Sequence, residues 1–67
     1  MNNVIHPEIT VELTGKDGNA FNILGICIQA MKRAKLTQSE INTFQREATS
    51  GDYNNLLVTV TNWFEVI

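Results

Sequence analysis

Few residues in this chain have the right type to do chemistry. His6 is the one histidine and Cys27 the one cysteine among 67 residues. Nucleophilic catalysis needs a thiol or hydroxyl within hydrogen-bond reach of a base, in an exposed and electropositive setting. Cys27 recurs with apolar side chains at helical spacing, which makes it a small core residue, and no base stands near it in sequence. His6 precedes Pro7 close to the first residue, where fraying is the expectation. One histidine and one cysteine cannot complete the usual zinc ligand sets within a single chain. Lys16-Asp17-Gly18-Asn19 has the character of a calcium-loop fragment but lacks the spaced carboxylates and the closing glutamate. Gly15-Lys16 does not complete a phosphate loop. The expectation is a non-enzymatic chain with no catalytic residue, metal site or cofactor.

Binding chemistry has better candidates, and they depend on where the elements begin. From Glu8 to Thr14 the chain alternates, with Ile9, Val11 and Leu13 on one side and Thr10, Glu12 and Thr14 on the other. Period two with β-branched residues predicts a strand with one buried face. Pro7 limits its start, and Gly15-Lys16-Asp17-Gly18 ends it with turn chemistry. From Asn19 to Lys35 the period becomes 3.6. Phe21, Leu24, Ile28 and Met31 make one stripe, and Ala20, Ile23, Cys27, Ala30 and Ala34 its neighbour. So wide an apolar face predicts a deeply buried first helix, capped by Asp17 or Asn19. Lys32, Arg33 and Lys35 then complement the negative end of its dipole. Gly25 costs that helix about 1 kcal/mol relative to alanine, so a close crossing by another element is expected there.

Thr37-Gln38-Ser39-Glu40 is a capping box, with Leu36 and Ile41 at the two positions of a hydrophobic staple. The second helix shows only Ile41, Phe44 and Ala48 as an apolar face, so it belongs on the surface, and Gly51 stops it. Tyr53, Leu57, Val60, Phe64 and Ile67, widened by Leu56 and Trp63, predict a third helix opening at Ser50 or Asp52. Phe64-Glu65-Val66-Ile67 can leave it as a short strand. The fold class is therefore α+β and mainly helical: one N-terminal strand followed by a compact three-helix bundle, in a single domain over residues 1–67. The strand's backbone groups need partners. Phe64–Ile67, a hairpin with Asn2–Ile5, or the same strand of a second copy would each supply them.

Composition narrows the partners. The chain is 43% hydrophobic and 18% charged, which is a folding composition. Five Lys+Arg against seven Asp+Glu give a net charge of −2 and no basic stripe for nucleic acid. No run approaches the length of a membrane span, and Met1–Pro7 lacks the basic start and apolar core of a signal peptide. A lone thiol without an export signal sets the expectation of a cytoplasmic protein. So small a core, with no disulfide possible within one chain, favours self-association.

Two stretches carry a resemblance: Asp17-Gly18-Asn19-Ala20-Phe21-Asn22-Ile23-Leu24-Gly25 and Glu47-Ala48-Thr49-Ser50-Gly51-Asp52-Tyr53-Asn54-Asn55-Leu56-Leu57. Together they resemble a group of small proteins of uncharacterised function encoded by bacteria and their phages, over about Ile9 to Val66. The resemblance implies no activity. It does imply a phage or mobile-element origin, a setting in which short proteins act by binding a host component or a signalling molecule. From Ile28 to Phe64 the order of helices is also similar in shape to the ubiquitin-associated three-helix module. The usual loop motif of that family is missing and a strand is added, so this likeness implies compactness rather than ubiquitin binding.

Two functions follow. The first is an interaction protein, homodimeric and binding a partner protein, with Tyr53, Trp63 and Phe64 near one end of the chain. The second is a binder of a small anionic ligand, such as a nucleotide signal. In an up–down–up bundle the first and third helices begin at the same end, and helix N-termini attract anions. The candidate residues are Asp17, Gly18 and Asn19 at one start, Ser50, Gly51, Asp52 and Tyr53 at the other, and Trp63. Plain capping by Asp17, Asn19, Ser50 and Asp52 competes with this second function, and the two aspartates repel an anion.

Overall fold

In the structure, a computed structural model, residues 4–67 are described. The chain order is β1 (His6–Val11), α1 (Ala20–Arg33), α2 (Gln38–Ala48), α3 (Tyr53–Trp63) and β2 (Phe64–Val66). This is the α+β, mainly helical architecture that the periodicities predict. β1 and β2 form a two-stranded parallel sheet with Thr10 opposite Glu65 and Val11 opposite Val66. Of the three possible partners for the first strand, the C-terminal stretch is the one used among the described residues. Asn2 and Asn3 of the alternative hairpin lie outside the described residues.

The strand begins earlier than Glu8 and takes in Pro7. The register jumps between His6 and Thr10, so no regular ladder bond is asked of the proline, which has no N–H to give. Ile9 and Val11 are buried as the alternation requires, and Leu13 packs against the core from beyond the strand's end. Past Val11 the pairing continues irregularly: the Leu13 and Thr14 amides both donate to the Ile67 carbonyl, at 2.7 and 3.1 Å. Gly15 then turns the chain at φ +77°.

α1 starts with Asn19 as N-cap, its side chain accepting from the Phe21 amide at 2.8 Å. It ends in a Schellman motif: Lys35 N–H donates to the Lys32 carbonyl and Leu36 N–H to that of Met31. Lys35 holds the left-handed position there, at φ +62°. The expectation of a deeply buried α1 is corrected. Only Ile23, Cys27 and Met31 are fully buried, because two short strands and two neighbouring helices cover one side of the helix and no more. Leu24 and Ile28 are half-buried, and Phe21 is 82% exposed. The expected crossing at Gly25 is also absent, since a Cβ built there meets nothing within 4 Å.

α2 has the predicted capping box. The Thr37 side chain accepts from the Glu40 amide, and the Glu40 carboxylate accepts from the Thr37 amide, both at 3.2 Å. Ile41, Phe44 and Ala48 are its buried face. α3 opens at Asp52, whose carboxylate accepts from the Asn55 amide at 2.9 Å. Its buried face is Leu56, Thr59, Val60 and Trp63, a rotation from the predicted stripe that leaves Tyr53 exposed. Thr59 satisfies its hydroxyl by donating to the Asn55 carbonyl at 2.8 Å. The helix stops where Phe64 turns extended, at φ −135° and ψ 163°. Phe44, Trp63 and Phe64 meet at the core's centre, with ring centroids 5.2 to 6.2 Å apart.

Candidate functional site

The starts of α1 and α3 do converge. The Tyr53 hydroxyl donates to the Gly18 carbonyl, joining the loop before α1 to the first turn of α3. Gly18 sits close enough that a Cβ there would lie 3.3 Å from the Tyr53 hydroxyl oxygen. Three of the amides that an anion would seek are taken by the chain's own side chains. Asp17 accepts from the Asn19 amide at 3.1 Å, Asn19 from Phe21, and Asp52 from Asn55. Ser50 donates to the Glu47 carbonyl at 2.8 Å and accepts from the Asn55 side chain at 3.3 Å. Gly51 packs under Asn55, where an added Cβ would come within 3.0 Å of the Asn55 Cβ.

Six of the predicted residues therefore frame this end as capping groups and turn backbone, with Tyr53 as the strut between the two starts. Trp63 is not with them. It is buried at 5% exposure, and its indole N–H donates to the Glu47 carboxylate at 3.0 Å. Of the three aromatics near the chain's end, Trp63 and Phe64 are core and Tyr53 alone is exposed.

Beside the Tyr53 strut lies a cleft of about 260 Å³, walled by Phe21, Leu24, Ala48, Gly51, Tyr53 and Leu56, with Asp52 at its edge. Its walls are mostly apolar and its sole charged member is that aspartate. Sequence reasoning missed the cleft, because Phe21 and Leu24 obey the same helical periodicity as true core residues. Local sequence offers no signal that separates them, since Gly25, one turn beyond Phe21 on the same side of α1, suits a close crossing within the fold equally well.

The groups expected to be chemically inert are positioned as follows. Cys27 is fully buried, and burial pushes its thiol up to about 12, so it stays protonated at neutral pH. His6 is not frayed. Its Nδ1 lies 3.2 Å from Glu8 and its Nε2 3.8 Å from Glu40, and its ring packs near Trp63 and Phe64. The return of β2 beside β1 brings those rings to it, a contact invisible in local sequence. Among the described residues, no three His, Cys, Asp or Glu side chains gather as a metal-binding group. No helix among them is long and apolar enough to cross a membrane. Compared with known protein families, curated proteins and solved structures, the chain matches none.

Proposed function

We propose that this chain is a non-enzymatic interaction protein that docks other protein surface through the Phe21 cleft. The observation that carries this reading is Phe21 itself, a large aromatic 82% exposed on a regular helix and bordering an apolar cleft. Solvating so large an apolar group beside a second exposed aromatic, Tyr53, is unfavourable, and such patches mark interaction surfaces. The buried, protonated thiol of Cys27 supports the non-enzymatic part. A cytoplasmic setting and a phage or mobile-element origin belong to the same proposal, resting on the sequence expectations alone.

The alternative, an anionic ligand held by the starts of α1 and α3, is supported by their convergence. It is opposed by the caps already formed there and by the charges of Asp17 and Asp52. Photo-crosslinking from position 21 tests the docking reading, with a benzoylphenylalanine in place of Phe21 and another at exposed Gln45 as control. Discrete adducts at 21 that are missing at 45 are expected in cell lysate. No adduct specific to position 21 would sink the reading.

A further inference from the structure

Phe21, Gly25, Ile28 and Lys32 follow one another at intervals of four, three and four, so they form a single line along α1. Within the protomer this line has little to touch. Phe21 and Gly25 are exposed, Ile28 is half-buried, and a Cβ at Gly25 would stand in open space. The glycine weakens the helix, and nothing in the chain's own packing uses the room it leaves. That room suits a second helix crossing close to the backbone at Gly25.

The ends of the line say which helix. Lys32 lies in the last turn of α1, while Asp17 and Asp52 stand at the end where α1 starts. Among the described residues neither Lys32 nor Asp17 is in an ion pair. A copy of α1 laid antiparallel across Gly25 sets the lysine of each chain beside the aspartates of the other. The two helix dipoles then oppose, and each Phe21 lies over the stretch between Ile28 and Lys32 of the second copy. The surface is thus complementary to itself, as a two-fold interface requires. A standard interface takes about 800 Å² from each partner, under a fifth of the 4480 Å² this fold exposes.

We infer that the chain forms a two-fold dimer through antiparallel α1 helices crossing at Gly25, with Phe21 and Lys32 of each copy reaching the other. This rests on the docking reading above and names a second copy as the occupant. The test is sedimentation of the full chain from micromolar to millimolar concentration, with helicity followed by circular dichroism. Wild type is expected to dimerise. Gly25→Leu, a better helix former with open space in the protomer, is expected to stay folded and become monomeric, as is Phe21→Glu. Lys32→Glu is expected to weaken association about tenfold, and added salt to weaken the wild-type dimer.

A wild type monomeric throughout overturns the inference, as does a dimer indifferent to both Gly25→Leu and Phe21→Glu. The crosslinking experiment separates the two levels. Adducts from position 21 to other proteins only, with a monomeric chain, overturn the dimer and leave the docking reading standing. A monomer with no such adducts overturns both.

Discussion

The indole N–H of Trp63, in the last turn of α3, donates to the carboxylate of Glu47, in the last turn of α2, at 3.0 Å. The same Glu47 offers its backbone carbonyl to the Asn55 amide group at 2.9 Å and to the Ser50 hydroxyl at 2.8 Å. One residue therefore fixes the turn between α2 and α3 and satisfies the polar atom of the buried tryptophan. Glu47→Ala strands that indole N–H at the core's edge and is expected to cost about 1–3 kcal/mol. Glu47→Gln keeps an acceptor in place and is expected to cost less than half as much. Urea unfolding of both variants, with Trp63 fluorescence as the probe, reads the difference.

Tyr53 ties the loop before α1 to α3 through a single hydroxyl. Tyr53→Phe keeps the ring and removes the bond to the Gly18 carbonyl, for an expected loss of about 0.5–1.5 kcal/mol. Amide exchange distinguishes this from a general loosening. Protection is expected to fall at residues 18–22 and at the start of α3, and to hold in α2. A uniform fall across the chain would contradict the strut.

Lys35 occupies the left-handed position that closes α1 at φ +62°. A β-carbon is disfavoured there and glycine is not. Lys35→Gly is therefore expected to stabilise the fold by about 1 kcal/mol, measured as a higher midpoint in denaturant at unchanged slope. No gain would mean that the lysine stem contributes packing that offsets its backbone conformation.

Burial raises the Cys27 thiol from 9.0 to about 12. In the unfolded chain the thiol ionises near the lower value, while in the folded protein it holds its proton. Between those limits the unfolded state binds fewer protons, so stability falls as pH rises. The slope expected from this one group is about 1.4 kcal/mol per pH unit. Below pH 9 the contribution is complete and flat. Cys27→Ala loses packing but also this slope, so the difference in unfolding free energy between the two proteins should shrink from pH 9 upward.

The caps, the turns and the order of elements were legible in the sequence because each is a local effect. Thr37 and Glu40 find each other three residues apart, and Asn19 and Asp52 cap the helices that follow them. What was not legible depended on how much cover the fold has to offer. Phe21 and Ile23 obey helical periodicity equally well, yet only Ile23 faces the sheet and the other helices. Trp63 and Tyr53 were grouped as exposed candidates on sequence position, and the rotation of α3 separated them. The convergence of Gly18 with Tyr53 was foreseeable from the up–down–up arrangement. The apolar cleft beside it was not, since it needs Phe21 to be left uncovered.

The pairing of β1 with β2 also sets a timetable for folding. His6 and Phe64 are register partners, so the contact that closes the sheet joins the first of the five elements to the last. The helices rest on local bonds and can gain structure within microseconds. The loop that must close between the two strands holds all three of them, and its entropic cost is met before the sheet returns anything. Until β2 docks, β1 has no strand partner among the described residues, and the backbone groups along its edge stay unpaired even where α1 already covers its apolar face. A mostly helical protein thus carries one step of the slow, non-local kind that governs β-sheet folding.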